Sequence, residues 1–141
     1  MFNYILIAFD GSKVARKALE IAIDMAEVTK ARLALVSVEA NLPQFPADIG
    51  EIKEEKQVQN GYFKTAQREA RELAKMHGID LHRVDVLAGH VSKTIIDHAR
   101  NIKCDLIIMG HSGQSGAWAD FLGSTVDKVS RHAHCTVMIV R

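Results

Sequence analysis

Gly110, Gly113, Gly123 and Ser124 stand in the pattern G-x2-G-x9-G-S, directly after the apolar run Leu106–Met109. Glycines admit a ligand close to the backbone and permit positive φ. A helix opening at Gly123-Ser124-Thr125 would aim free N–H groups and the positive end of its dipole at an anion. Ser124 offers such an anion a hydroxyl, or serves simply as the helix cap. The pattern reads as a phosphate cradle; the plain alternative is a glycine-rich surface loop. It is neither of the commoner phosphate motifs. G-x-G-x-x-G belongs after the first strand, where the chain has Asp10-Gly11-Ser12-Lys13. The Walker pattern needs a Lys before its hydroxyl, and no Lys lies between Gly110 and Thr125.

Catalytic equipment is missing from the same stretch. Phosphoryl transfer needs charge stabilisation and an oriented nucleophile, and this loop has neither Lys nor Arg. Asp10 or Asp120 could help hold Mg²⁺, but one carboxylate does not make a metal site. No Ser/His/Asp or Cys/His arrangement assembles from the sequence, so no catalytic residue is assigned. The seven histidines include no H-x-x-x-H pattern with a completing Cys or carboxylate, so no metal site is expected. Asp10 ends a strand, as the acids of a response regulator do, but the paired acid and phosphoacceptor of that class are not evident. It reads as a ligand contact or a turn residue. His111 lies in the loop and reads as a phosphate contact or a solvent-exposed ring. Trp118 and Phe121 receive no role.

These residues need a scaffold. Tyr4–Phe9 is a nearly unbroken apolar run ending in Asp-Gly-Ser, as expected of a strand buried on both faces. Ser12 can cap a helix whose stripe is Ala15, Ala18, Leu19, Ala22 and Ala26. Arg32–Ala40 is a second strand. After a proline-bearing connection, a helix over 51–77 carries Val58, Tyr62, Ala66, Ala70 and Leu73 on one face. Gly61 weakens it and Gly78 ends it. Residues 80–89 form a more polar, edge-like strand. A helix capped by Ser92 buries Ile95, Ala99 and Ile102. Residues 105–110 form the fourth strand. Ser124 to about Ala133 is helical, and Thr136–Val140 is the fifth strand.

Alternating strands and helices with continuous apolar strands predict a doubly wound, five-stranded parallel α/β sheet, order 3-2-1-4-5, with helices on both faces. Residues 1–141 are expected to form a single domain. Ligands of such sheets bind beyond the C-terminal strand ends, where the order reverses. That point lies between strands 1 and 4, so Asp10 and the glycine pattern converge there, with Met109 at the end of strand 4. The fifth strand leaves an apolar outer edge, which predicts a two-fold homodimer through Thr136–Val140. Cys104 and Cys135 each precede a strand and are expected to lie close together as buried, inert thiols.

The totals exclude several classes. A chain of 141 residues with formal net charge +1 carries no broad basic field, and its 6% aromatics offer no base-stacking platform, so nucleic acid is not an expected partner. No apolar stretch reaches the ~20 residues that span a bilayer, so no membrane insertion is expected. The first residues do not read as a signal peptide, and two cysteines are too few for a disulfide scaffold; a cytoplasmic location is expected.

The residues "ILIAFDGS", "CDLIIMGHSG" and "LGSTVDKVSRHAHCTVMIVR", with the 2–9 glycine spacing, resemble the universal stress protein family along the whole chain. The resemblance implies the adenine nucleotide alpha hydrolase-like form of the fold, homodimers, and, for members with this spacing, ATP or another adenine nucleotide with Mg²⁺. It implies Asp10 and the backbone of Val38 at the adenosine. It implies Gly110, Gly113, Gly123 and Ser124 along ribose and phosphates; Met109, His111 and Thr125 adjoin them and complete the expected site. Ser112 stands where members often carry a basic residue. Val91, His134 and Thr136 stand where prolines are common. The expected function is a nucleotide-binding stress-response regulator whose occupancy alters its dimer or a protein partner. The alternatives are a slow ATPase acting as a timing switch and an interaction module with an empty crevice.

Overall fold

The computed structural model describes residues 1–40, 49–112 and 123–141, with backbone alone over 49–56. Among them the elements are β1 (Tyr4–Ala8), α1 (Lys13–Thr29), β2 (Arg32–Ala40), α2 (Ile49–Met76) and β3 (Arg83–Gly89). There follow α3 (Val91–Ile102), β4 (Leu106–Gly110), α4 (Ser124–His132) and β5 (Thr136–Val140). The strands form one sheet in the order β3-β2-β1-β4-β5, every neighbouring pair parallel. This is the order expected from the sequence.

The apolar runs follow from burial on both faces. Side chains alternate across a strand. Ile5 and Ile7 of β1 therefore pack with Leu19 and Ile23 of α1 on one side. Tyr4 and Leu6 pack with Ile95, Ala99, Val126 and Val129 of α3 and α4 on the other. β5 is an edge strand whose Val137, Met138 and Ile139 remain half-buried.

Helix ends show local chemistry at work. Ser12 caps α1, its Oγ accepting from the Ala15 N–H at 3.2 Å. Gly78, at φ +74°, ends the turn after α2, where Ile79 N–H donates to Ala74 O. Two expectations are corrected. Ser92 does not cap α3: His90 holds the cap position with extended backbone, and Ser92 lies inside the first turn, buried, 3.2 Å from His90 Nδ1. The stripe of α2 holds at Ala66, Ala70 and Leu73 but not before them. Val58 is 74% exposed and Tyr62 43%, while Phe63, Ala66, Gln67, Ala70 and Ala74 are buried. At 28 residues α2 is ~42 Å long, longer than the ~30 Å that the nine residues of β2 span. The helix continues through Gly61.

Polar groups inside the fold are paired across elements. Ser37 Oγ donates to Phe9 O at 2.7 Å, and Gln67 Nε2 donates to both Ser37 Oγ and Asp85 O. These bonds tie β1, β2, β3 and α2 together. The two thiols meet as expected: both are free, and burial, reinforced by Cys135, pushes Cys104 up to about 12. A thiol so protonated is a poor nucleophile.

His98 is buried in α3, its Nε2 3.3 Å from Asp85 Oδ2 but off the line of a hydrogen bond. Asp85 is also held by Arg83. Burial lowers the His98 pKa, and Asp85 opposes only part of that shift. An unfolded histidine titrates near ~6.5, so at lower pH the unfolded chain binds the proton more readily. Stability is therefore expected to fall as pH drops below about 6.5 and to level off once the folded pKa is passed. Thermal unfolding at about pH 7.5 and about pH 5.5 should show the drop, and a smaller one in His98→Gln; equal drops would remove His98 as its cause.

Candidate functional site

A cavity of about 190 Å³ opens beyond the C-terminal ends of β1 and β4, at the reversal of strand order. Its apolar lining includes Val36 and Val38 of β2, Ile95 of α3 and Met109 of β4. Its polar lining is Asp10, Ser112, Ser124 and Thr125, and Gly110 and Gly123 also line it.

The turn after β1 is fixed from two sides. Ser12 N–H donates to Asp10 Oδ1 at 2.9 Å, and Tyr62 Oη of α2 donates to Asp10 O at 2.9 Å. Gly11, at φ +80°, leaves room for that phenol: a Cβ there would stand 2.5 Å from Tyr62 Oη.

The two glycines of the wall have different reasons. Gly110 is not at positive φ; a Cβ on it would lie 2.5 Å from Val14 Cγ1 and 3.1 Å from the Val14 carbonyl carbon. Its small size lets α1 approach β4. Gly123 has ordinary backbone angles, φ −59° and ψ 153°, and among the described residues a Cβ there would meet nothing nearer than His111 O at 3.6 Å. Its conformation does not demand glycine, and it lines the crevice.

Gly123 is also the cap residue of α4. Ser124 is therefore the first helical residue, not the cap, and among the described residues no side chain is bonded to the helix start. The first N–H groups of α4 and the Ser124 hydroxyl, which belongs to the cavity lining, are suited to an oxyanion. Gly123 N–H donates to His111 O at 3.0 Å, holding the start of α4 against the end of β4.

Of the residues singled out from sequence, Asp10, Val38, Met109, Gly110, Gly123, Ser124 and Thr125 line this one cavity. His111 does not. Its ring Nδ1 lies 3.3 Å from Val140 O and its Nε2 3.5 Å from Ser112 Oγ, on the β5 side. Gly113, Trp118, Asp120 and Phe121 lie outside the described residues. The cavity adds Ser112, Val36, Ile95 and Val126, which sequence reasoning did not select as site residues. Ile95 and Val126 sit on ordinary buried stripes, and periodicity alone does not tell which turn of a stripe ends in a crevice.

A second cluster, Asp24, Glu27 and His77, brings three potential metal ligands within 4.8 Å of one another. All three are exposed, and Glu27 Oε1 already lies 3.6 Å from His77 Nδ1. No described helix is long and apolar enough to cross a membrane.

Comparison with known proteins agrees with this geometry. The chain is 33% identical over 152 residues to the universal stress protein YxiE of Bacillus subtilis, covering 100% of each chain. Among solved structures it resembles the universal stress protein UspA from Lactobacillus plantarum, with TM-score 0.89 and 26% identity over 99% of this chain and 97% of that one. It shares its fold, at TM-score 0.72 and 23% identity, with a universal stress protein solved in complex with cAMP, covering 99% of this chain and 97% of that one. The model of the universal stress protein family matches residues 1–141. A switch-point crevice, a glycine-capped helix start beside it and these matches lead to one conclusion: the chain belongs to the universal stress protein family.

Proposed function

We propose that this protein binds an adenine nucleotide, ATP foremost, and acts as a stress-response regulator. The observation that carries the reading is the cavity itself, apolar at Val36, Val38, Ile95 and Met109 and polar at Ser124 and Thr125. The adenosine lies against Asp10 and Val38, its base on the apolar lining. Ribose and phosphates run past Met109 and Gly110 to Gly123, Ser124 and Thr125, with Gly113 joining them. His111 is left out of this set because its ring faces Val140. A relative of this fold solved with cAMP makes adenine nucleotides the first ligands to test. Mg²⁺ would accompany the phosphates and neutralise their charge; the chain's own residues bind and orient.

Binding without turnover is the preferred reading, since neither a Ser/His/Asp nor a Cys/His arrangement stands among the described residues that line this crevice. The protein acts as one domain in the cytoplasm. It pairs with a second copy through the free edge of β5, Thr136–Val140, and nucleotide occupancy changes what that dimer or a protein partner meets. Equilibrium titration with a fluorescent ATP analogue is the direct test. Saturable binding displaced by ATP supports the reading, and no binding at millimolar nucleotide ends it. Sedimentation tests the dimer: a monomer at micromolar concentration overturns the β5 pairing.

A further inference from the structure

A second cavity, of about 300 Å³, adjoins the crevice. The two share Val91, Ser124 and Thr125 as a common rim. The second lies beyond the ends of β2 and β3, between the starts of α3 and α4, and its walls are of different chemistry. His90, Ser92, Ser124, Thr125 and Lys128 supply an imidazole, three hydroxyls and an ammonium. Lys128 follows Ser124 by four residues and Thr125 by three, so all three share one face of α4. Neighbouring charges are committed elsewhere, Asp127 to Arg131 and Lys93 to Asp97. No ion pair of Lys128 occurs among the described residues.

Size also matters. The crevice at about 190 Å³ is smaller than the roughly 300–1,000 Å³ usual for small-molecule sites, and the adjoining space brings the site into that range. We infer that the second cavity receives the terminal phosphates of a nucleoside di- or triphosphate whose base occupies the crevice, and that Lys128 makes the site select by phosphate-chain length. This rests on the nucleotide reading above and adds a specificity residue that the glycine pattern does not contain. A nucleoside monophosphate, cyclic or open, ends at Ser124 and does not reach Lys128. A longer chain crosses the Ser124–Thr125 rim and gains the ammonium. Lys128 is exposed, so the gain is limited by screening and falls with salt.

The test is titration of the whole protein with AMP, cAMP, ADP and ATP, each against Lys128→Met and Lys128→Arg. The Met variant keeps the stem and removes the charge; because the residue is exposed, its thermal midpoint should match the parent. In the parent, ADP and ATP should bind more tightly than AMP. Lys128→Met should weaken ATP about tenfold and leave AMP and cAMP unchanged, while Lys128→Arg keeps the preference. Added salt should erode the ATP preference in the parent but not in Lys128→Met. Equal effects on AMP and ATP, or no effect on either, overturn the role of Lys128 while leaving nucleotide binding intact. If none of the four nucleotides binds the parent, the nucleotide reading fails, and this inference with it.

Discussion

Gly123→Asp is expected to weaken ATP binding about a hundredfold while leaving the fold as stable as before, or slightly more so. The backbone at Gly123 lies in a region any residue adopts, and a Cβ finds ordinary contact at 3.6 Å from His111 O. Asp is a better helix cap than Gly by a few tenths of a kcal/mol, and its charge complements the helix dipole by about 0.3–1 kcal/mol. The thermal midpoint should therefore hold or rise by about 1–3 °C. The ligand meets the opposite sign. The new carboxylate takes the helix N–H groups that a phosphate would take, and two like charges at roughly 4 Å repel by about 4 kcal/mol at an effective dielectric near 20. Screening at the open mouth reduces that, so ATP affinity should fall about a hundredfold. Gly123→Ala, which adds a Cβ without charge, should bind with a much smaller loss. Parent-like ATP affinity in Gly123→Asp would mean that phosphates do not sit at the start of α4.

Gly110→Ala is expected to do the reverse and damage the fold first. The added carbon would stand 2.5 Å from Val14 Cγ1 and 3.1 Å from the Val14 carbonyl carbon. Val14 is β-branched and stiff, and the second clash is with helix backbone, so α1 itself must move off β4. Overpacking of this kind costs about 1–3 kcal/mol, or about 3–9 °C in thermal midpoint for a chain of this size. Because Ala15 of the same helix turn lines the crevice, the shift also deforms the nucleotide site. Val14→Ala in the same chain removes the closest of the three Val14 contacts, leaving Cβ and the carbonyl carbon at 3.1 Å, and should restore part of the loss. A midpoint within about 1 °C of the parent for Gly110→Ala would show that α1 yields at little cost.

The contrast between these glycines marks how far the sequence could be read. Both occur in one spacing pattern and look alike there. Their roles separate only when Val14 is found hard against one and, among the described residues, only ordinary contact beside the other. Ser124 is a similar case. As a sequence residue it reads as a cap or a ligand; with Gly123 in the cap position, its hydroxyl is not bonded to the helix start. The α2 stripe holds at Ala66, Ala70 and Leu73 and fails at its first two residues for a related reason. Val58 and Tyr62 fit the period of a buried face, but periodicity says which residues share a face, not whether a sheet lies beneath that turn.

By itself the sequence determined the strand order, the switch point and the convergence of Asp10 with the start of α4. Those follow from local signals: unbroken apolar runs mark strands buried on both faces, and parallel strands joined by right-handed crossovers leave few topologies. Tertiary structure alone decided that His111 turns to Val140, that Tyr62 fixes the Asp10 turn, and that Lys128 borders a cavity joined to the crevice. Each depends on distances between segments far apart in the chain, set by how helices settle on the sheet, and no residue spacing encodes those distances.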